Sequence, residues 1–337
     1  MSELKTYRYD RPFILENGKS LDNLEVAYRT KGKLSDAKDN VIWVFHAISG
    51  STNVLDWWPG LFGDKCLYNP DEHFIICANS IGSPYGSTSP EDLSFPQFSV
   101  RDVVKAYQLL ADELNITHIH TAIGGSFGGN QALEFAYSYS GTIDHLVLIA
   151  SSSRESAWGI AIHESQRLAM ESDPSFGKPN GGAAGLKAAR SMALLTYRTV
   201  NSFVEKQTDE EEKLDDFKAS RYIQYQGDKF LSRFNALSYY YLTKCLDTHN
   251  IGRNRGGEVK ALSEIDIPTL VIGIDTDLLI PVDFQRFLAE NMPNAEFHEI
   301  NSRHGHDGFL IESEQISKKI KEFYQRLSTS PVHSKAS

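Results

Sequence analysis

Apolar positions along the chain follow two rhythms. Short continuous apolar runs stand at residues 41–45, 74–78, 120–123 and 146–150. Continuous runs, rather than strict alternation, suit strands covered on both faces, as in a parallel sheet. Between them the spacing turns helical. In residues 99–114, Val103, Tyr107, Leu110 and Leu114 fall on one face. Ser99 with Asp102 three positions on resembles a capping box, with Asp where Glu or Gln is usual. Residues 131–139 are helix-compatible, and Ser140-Gly141 can stop that helix. Upstream, residues 12–15 and 24–30 are β-rich, and the Glu16-Asn17-Gly18-Lys19 turn signal between them predicts a hairpin.

The alternation of strand and helix breaks after residue 150. Residues 151–264 hold no convincing buried strand and are rich in Ala, Leu, Glu and Lys, with a flexible Gly-Gly-Ala-Ala-Gly at 181–185. The strand pattern resumes with buried strands expected at 269–274 and 295–300, and a last helix is expected over 313–327. The reading is therefore an α/β core domain, residues 1–150 and 265–327, with a mostly parallel central sheet. A helical cap, 151–264, is inserted into it, and a flexible tail, 328–337, follows.

Bulk properties narrow the function. The chain has 337 residues, 41% of them hydrophobic and 23% charged, with a net charge of −10. That length suits two domains or one large domain with an insertion. An acidic surface repels phosphate backbones, which argues against a nucleic-acid partner but leaves room for an anionic ligand at a local positive patch. Three scattered cysteines (Cys66, Cys77, Cys245) have no metal-ligand spacing and suit a reducing compartment. No apolar leader segment and no run long enough to span a bilayer is visible, so a cytoplasmic protein without membrane contact is expected.

The candidate chemistry centres on Gly124-Gly125-Ser126-Phe127-Gly128-Gly129. It contains G-x-S-x-G between an apolar strand and a helix, the context of a nucleophile elbow. A serine nucleophile needs a histidine base, and the base needs an orienting acid. In the α/β-hydrolase fold the chain order is Ser, acid, His. The loop after strand 269–274 offers Asp275 and Asp277. Asp277 is favoured by its place four residues before Pro281, and Asp275 reads as a turn or cap residue. The loop after the last strand offers His304 and His306. His306, between Gly305 and Asp307 and leading into a helix-compatible stretch, is the expected base. An oxyanion hole needs two backbone N–H donors: one from Phe127, the other from the loop His46-Ala47-Ile48-Ser49-Gly50. Trp57-Trp58 reads as core. The acidic run at 209–213, with Asp215 and Asp216, reads as the solvated face of a helix.

Longer motifs extend the picture: His46-Ala-Ile-Ser-Gly50, Asp56-Trp-Trp-Pro59, Asn79-Ser-Ile-Gly82, Phe98-Ser-Val-Arg-Asp102, Leu195-Thr-Tyr-Arg198, Tyr225-Gln-Gly-Asp-Lys-Phe230 and Gly305-His-Asp-Gly-Phe-Leu310. Together with the elbow they resemble the homoserine O-acetyltransferase family, α/β-hydrolase-fold acyltransferases of methionine biosynthesis. Phe127 stands where that family commonly has Met, and Asn235 where it has Asp. The resemblance implies transfer of an acetyl group from acetyl-CoA to L-homoserine through an acyl-Ser126 intermediate, with no metal and no cofactor beyond the co-substrate. It implies Ile48 and Phe127 as oxyanion donors and Arg198 and Asp307 as ligands of the amino-acid substrate. A guanidinium suits a carboxylate and a carboxylate suits an ammonium. It also implies a homodimer formed through the cap. Succinyl-CoA or L-serine as substrates, or a serine esterase or thioesterase, are the alternatives.

Overall fold

A computed structural model describes residues 1–329. The strands are β1 (Lys5–Tyr9), β2 (Phe13–Ile14), β3 (Ser20–Leu21), β4 (Leu24–Lys31), β5 (Val41–Phe45), β6 (Phe74–Ala78), β7 (Ile119–Gly125), β8 (Ile143–Ile149), β9 (Thr269–Ile274) and β10 (Ala295–Ile300). Eight of them form one sheet in the order β1-β4-β6-β5-β7-β8-β9-β10. The segment from β6 to β10 is parallel throughout, and β4 and β1 join antiparallel at one edge. Every residue of β5 and β9 is buried, as expected for strands covered on both faces. β10, expected to be buried too, is instead the sheet's other edge strand, with only Ile300 fully buried, because one side of it has no neighbouring strand.

Two expectations at the amino end are corrected. Residues 12–15 do not pair with 24–30. The turn instead closes a small hairpin, with Phe13 opposite Leu21 and Ile14 opposite Ser20, and β4 goes to the main sheet. The polar segment Lys5–Tyr9, unassigned from sequence, is the edge strand β1. An edge strand needs no apolar run, because water covers its outer side.

Helices pack on both faces: α1 (Val54–Trp57), α2 (Val100–Glu113), α3 (Phe127–Ser138), α10 (Val282–Asn291), α11 (Gly308–Ile311) and α12 (Ser313–Thr329). The predicted box caps α2. Ser99 accepts from the Asp102 N–H, and Asp102 accepts from the Ser99 N–H at 2.8 Å, a cap worth about 1 kcal/mol. The core under α2 and α3 is aromatic. Trp43, Phe45, Tyr107 and Phe135 are buried with ring centroids 5.5–6.3 Å apart. Each such side chain contributes roughly 1.5–3 kcal/mol on burial.

Between β8 and β9 lie only helices: α4 (Ala157–Glu171), α5 (Ala183–Tyr197), α6 (Val200–Gln207), α7 (Lys218–Leu231), α8 (Ala236–Asp247) and α9 (Glu258–Ser263). Here too two details differ from expectation. Gly181–Gly185 is no free linker, since Gly182 takes a left-handed φ of 82° and caps α5, whose first turn holds Gly185. The acidic run at 209–216 is on the surface but falls in the turn between α6 and α7 rather than on a helix. Like-charged carboxylates three and four apart on one helix would repel. The final helix runs two residues further than expected, so Ser328 and Thr329 belong to it. The rest of the expected tail, 330–337, lies outside the described residues.

Candidate active site

The parallel register brings the carboxyl ends of β7, β9 and β10 to one edge of the sheet. Phe45 pairs with Gly124 and Gly125 with Ile149, so Ser126 emerges just past the middle of the sheet, its N–H donating to the Ile149 carbonyl at 2.9 Å. Ser126 has φ 57° and ψ −129°, a sparsely populated backbone region that costs on the order of 1–3 kcal/mol and persists only where surrounding contacts enforce it. The neighbouring glycines make the turn possible. A Cβ on Gly124 would strike the Gly128 backbone, and one on Gly128 would strike the Phe45 carbonyl.

The acid loop follows β9 and the histidine loop follows β10. His306 Nδ1 bonds Asp277 Oδ2 at 2.7 Å, and Nε2 lies 2.8 Å from Ser126 Oγ. Asp277 Oδ1 accepts the N–H groups of Leu279 and Ile280, both at 2.9 Å. That leaves Oδ2 aimed at the imidazole. Asp275 points elsewhere and clamps the two loops together, accepting from the Ser302 N–H at 2.9 Å and from Asn301 Nδ2 at 3.0 Å. His304 stays out of this chain of bonds, its N–H donating to Ser302 Oγ at 3.0 Å. Burial pulls the His306 pKa down, but the charge and hydrogen bond of Asp277 outweigh it, so the net shift is upward from 6.5. The imidazole is thereby a stronger base than a free one.

Phe127 opens α3. The Ser126 carbonyl takes the N–H groups of Gly129 and Asn130, and the first N–H of a helix has no acceptor within it. The Phe127 N–H thus stands next to the nucleophile at the positive end of the helix. Ile48 sits in the tight loop after β5, closed by Gly50 N–H to the Ala47 carbonyl at 2.8 Å. His46 braces the loop from beneath: Nδ1 bonds the Ala47 carbonyl at 2.8 Å and Nε2 accepts the Ser80 N–H at 3.1 Å. Burial holds its pKa down to about 4, so the ring is neutral.

A cavity of about 870 Å³ opens onto this edge, lined among others by Ile48, Ser126 and His306. Its lining includes Trp57 but not Trp58. The expected core pair divides, with Trp58 fully buried and Trp57 half-buried at the cavity wall, the two rings stacked 5.2 Å apart. Asp307 also lines the cavity. Burial raises its pKa, although Arg198 beside it works the other way, Nε lying 3.0 Å from Asp307 Oδ2. Arg198 caps the end of α5, and Gly305, with φ 61°, lets the cap backbone at Tyr197–Arg198 come within van der Waals range of the histidine loop.

The cap also brings residues that sequence reasoning missed. Arg190 and Tyr197, two turns apart on α5, both line the cavity, and the Tyr197 ring stands 5.8 Å from His306. The Arg190 guanidinium rests on Phe230 at 4.8 Å, and its buried Nη1 has no hydrogen-bond partner among the described residues. Arg29, Lys229 and Arg233 line the same cavity, and none of these four cations pairs with a carboxylate among the described residues. Tyr197 lies inside the Leu195-Thr-Tyr-Arg198 motif and was within reach of a sequence reading. Arg190 carries no local signal. Among the described residues no cluster could hold a metal ion, and no helix is long and apolar enough to cross a membrane.

The sequence and the fold have counterparts among known proteins. The α/β hydrolase fold family matches residues 40–312. The homoserine O-acetyltransferase of Cyclobacterium marinum is 42% identical over 92% of each chain. The solved homoserine O-acetyltransferase of Staphylococcus aureus superposes with a TM-score of 0.82 at 30% identity, covering 99% of this chain and 97% of that one. Esterase E22 reaches a TM-score of 0.88 over 95% of this chain and 99% of its own, at 21% identity, which speaks for the fold alone.

Proposed function

The chain belongs to the homoserine O-acetyltransferase family, acyltransferases of methionine biosynthesis built on the α/β-hydrolase fold, and we propose that it works by a two-step transfer through Ser126. The observation that carries this reading is the unbroken line Asp277–His306–Ser126, with bonds of 2.7 and 2.8 Å, opening into one cavity. His306 takes the Ser126 proton as Oγ attacks the acetyl-CoA thioester. The Ile48 and Phe127 N–H groups face the oxyanion as it forms. The tetrahedral intermediate collapses, the C–S bond breaks and CoA leaves with the proton from His306. The hydroxyl of L-homoserine then attacks the acyl-enzyme as His306 takes its proton. The bond from the acyl carbon to Ser126 Oγ breaks, and His306 returns the proton to Oγ, leaving O-acetylhomoserine and free Ser126.

The acceptor is a zwitterion, and the cavity offers both signs of charge. Asp307 suits its ammonium group. Arg190, which pairs with no carboxylate among the described residues, and Arg198, reached through the Asp307 pair, suit its carboxylate. Arg29 and Lys229 at the cavity suit the phosphates of CoA. No resident cofactor enters this scheme. We propose the cytoplasm as the compartment, in keeping with three free cysteines. We further propose a homodimer through the cap. Trp158, Leu168, Leu195, Val200 and Val204 are 54–68% exposed there, and apolar side chains collected on one structural unit favour burial against a second copy.

The test of the transfer is CoA release from acetyl-CoA with and without L-homoserine, together with mass analysis of the product. Homoserine-dependent release yielding O-acetylhomoserine is the expected result. Homoserine-independent release to acetate would make the protein a hydrolase. For the dimer, Val200→Asp should lower the sedimentation coefficient to that of a single 37.8 kDa chain; wild-type protein already sedimenting at that mass removes the proposal.

A further inference from the structure

One cap side chain crosses to the core beside the oxyanion loop. Arg233 follows α7, its N–H bonded to the Phe230 carbonyl at 3.1 Å. Its Nη1 donates to the Ser49 carbonyl at 2.7 Å and to the Tyr85 hydroxyl at 3.1 Å. The guanidinium lies over the Phe230 ring at 4.9 Å, Phe230 stacks on Phe234 at 5.0 Å, and Phe234 meets Tyr85 edge-on at 5.8 Å. Tyr85 is in turn tied to the core, its carbonyl accepting from Asn79 Nδ2 at 2.6 Å. The fork therefore has a fixed origin and a fixed destination.

Ser49 is the residue after Ile48. The loop 46–50 is held from the core side by His46 and by Gln131 Nε2, which donates to the His46 carbonyl at 3.1 Å. All of those bonds grip its first half. Its second half, where the chain turns at Ser49 and Gly50, is gripped by Arg233. Oxyanion stabilisation depends on donors already aimed at where charge will develop, and a misaimed N–H loses most of its effect.

We infer that Arg233 is a positioning residue for the oxyanion hole: by holding the Ser49 carbonyl it fixes the Ser49–Gly50 peptide, whose Gly50 N–H donates to the Ala47 carbonyl at 2.8 Å and so steadies the Ala47–Ile48 peptide that carries the Ile48 N–H, and Ser126 is acylated at full rate only with the cap docked. This rests on the reading of Ser126 and Ile48 given above. It makes the cap part of the chemical step and not only a wall of the acceptor site.

The experiment is pre-steady-state acylation of the full chain by two donors, acetyl-CoA and an aryl acetate that carries no phosphate. The variants are Arg233→Met, which keeps an unbranched stem over Phe230, and Arg233→Ala. Both should slow acylation by both donors by the same factor, about ten- to a hundredfold, less than the 10²–10³ that outright loss of an oxyanion donor costs. The KM for acetyl-CoA should stay put, and added guanidinium should restore part of the rate in Arg233→Ala. Unchanged acylation by the aryl ester with a raised KM for acetyl-CoA would make Arg233 a phosphate contact instead. Equal slowing with no guanidinium rescue and a lowered melting temperature would make it a structural strut. Either result overturns the assignment. Failure of the acyl-enzyme reading would already show as a missing aryl-ester burst in the wild type.

Discussion

The core and the cap meet at one cavity but hold their side chains in opposite ways. In the core, each reacting group follows a parallel strand, Ser126 and Asp277 after strands mostly or wholly buried and His306 after the half-exposed edge strand β10, and the first two are fixed by bonds from neighbouring backbone. Ser126 is gripped through Ile149, Asp277 through Leu279 and Ile280, and the acid and histidine loops are clamped together by Asp275. In the cap, Arg190 and Tyr197 extend from α5 and Arg233 from the turn after α7, and the outer helix faces of the cap keep large apolar side chains exposed. Their own supports are mostly aromatic contacts rather than backbone hydrogen bonds. Strand ends fix direction to within small angles, as proton transfer between Ser126 and His306 requires. Helix faces leave side chains room to settle around a substrate. On the proposed reading, bond-making belongs to the core and choice of acceptor to the cap, with Arg233 the cap side chain that reaches into the chemical step.

That division can be broken most decisively at the nucleophile. Ser126→Ala should reduce acyl transfer by on the order of 10⁴–10⁶ while leaving thermal unfolding unchanged; substantial turnover would put the nucleophile elsewhere. Asp277→Asn should cost about 10⁴ through the wrong imidazole tautomer, and Asp275→Asn much less, since it loosens a clamp and leaves the triad bonds in place. A reversed order in steady-state rates would exchange the two aspartates.

The cap side of the comparison predicts a smaller effect of a different kind. Arg190→Ala should raise the KM for L-homoserine by roughly ten- to a hundredfold, the loss of a hydrogen bond to a charged group at about 1.5–3 kcal/mol. The acyl-enzyme burst should survive. A burst that falls in step with acceptor binding would show that the two regions are not separable at this residue.

Proton linkage gives two finer tests. His306 must be neutral to accept the Ser126 proton, and its pKa is raised. The acid limb of kcat/KM should therefore fall above the ordinary histidine value of about 6.5. Asp307→Asn removes a charge that favours the imidazolium, so the limb should move to lower pH; an unmoved limb would remove Asp307 from the base's electrostatics. The smallest effect is on stability. Burial holds His46 and His249 at a pKa of about 4, and burial with the neighbouring His145 and His73 holds His120 there too. Unfolded, these groups titrate near 6.5, so between the two values the unfolded chain binds more protons than the folded one. Stability is then full above about 6.5 and declines as pH falls toward 4. Urea midpoints measured across that window should fall with acid, and His120→Gln should flatten the slope by its share.

How much of this was legible in the sequence differs between the two regions for a physical reason. The buried strands announced themselves, since a strand covered on both faces has no polar position to interrupt it. The elbow did too, because a turn that tight admits only glycine at 124 and 128. His306 and Asp277 followed from chain order on this fold. The edge strand β1 escaped because only one side of it is paired, and its exposed, half-buried alternation looks like any polar segment. The exit of β2 from the expected pairing escaped because register there depends on which edge is free. What only the tertiary structure decided is convergence. Arg190 and Arg233 stand 64 and 107 positions beyond Ser126, the first mid-helix on α5 and the second in the turn after α7, and the motifs near them give no sign of what either side chain meets. A local pattern records the conformation a segment prefers, but not which distant surface it will meet. That is set by the packing of the whole cap on the core, where many weak contacts are satisfied together.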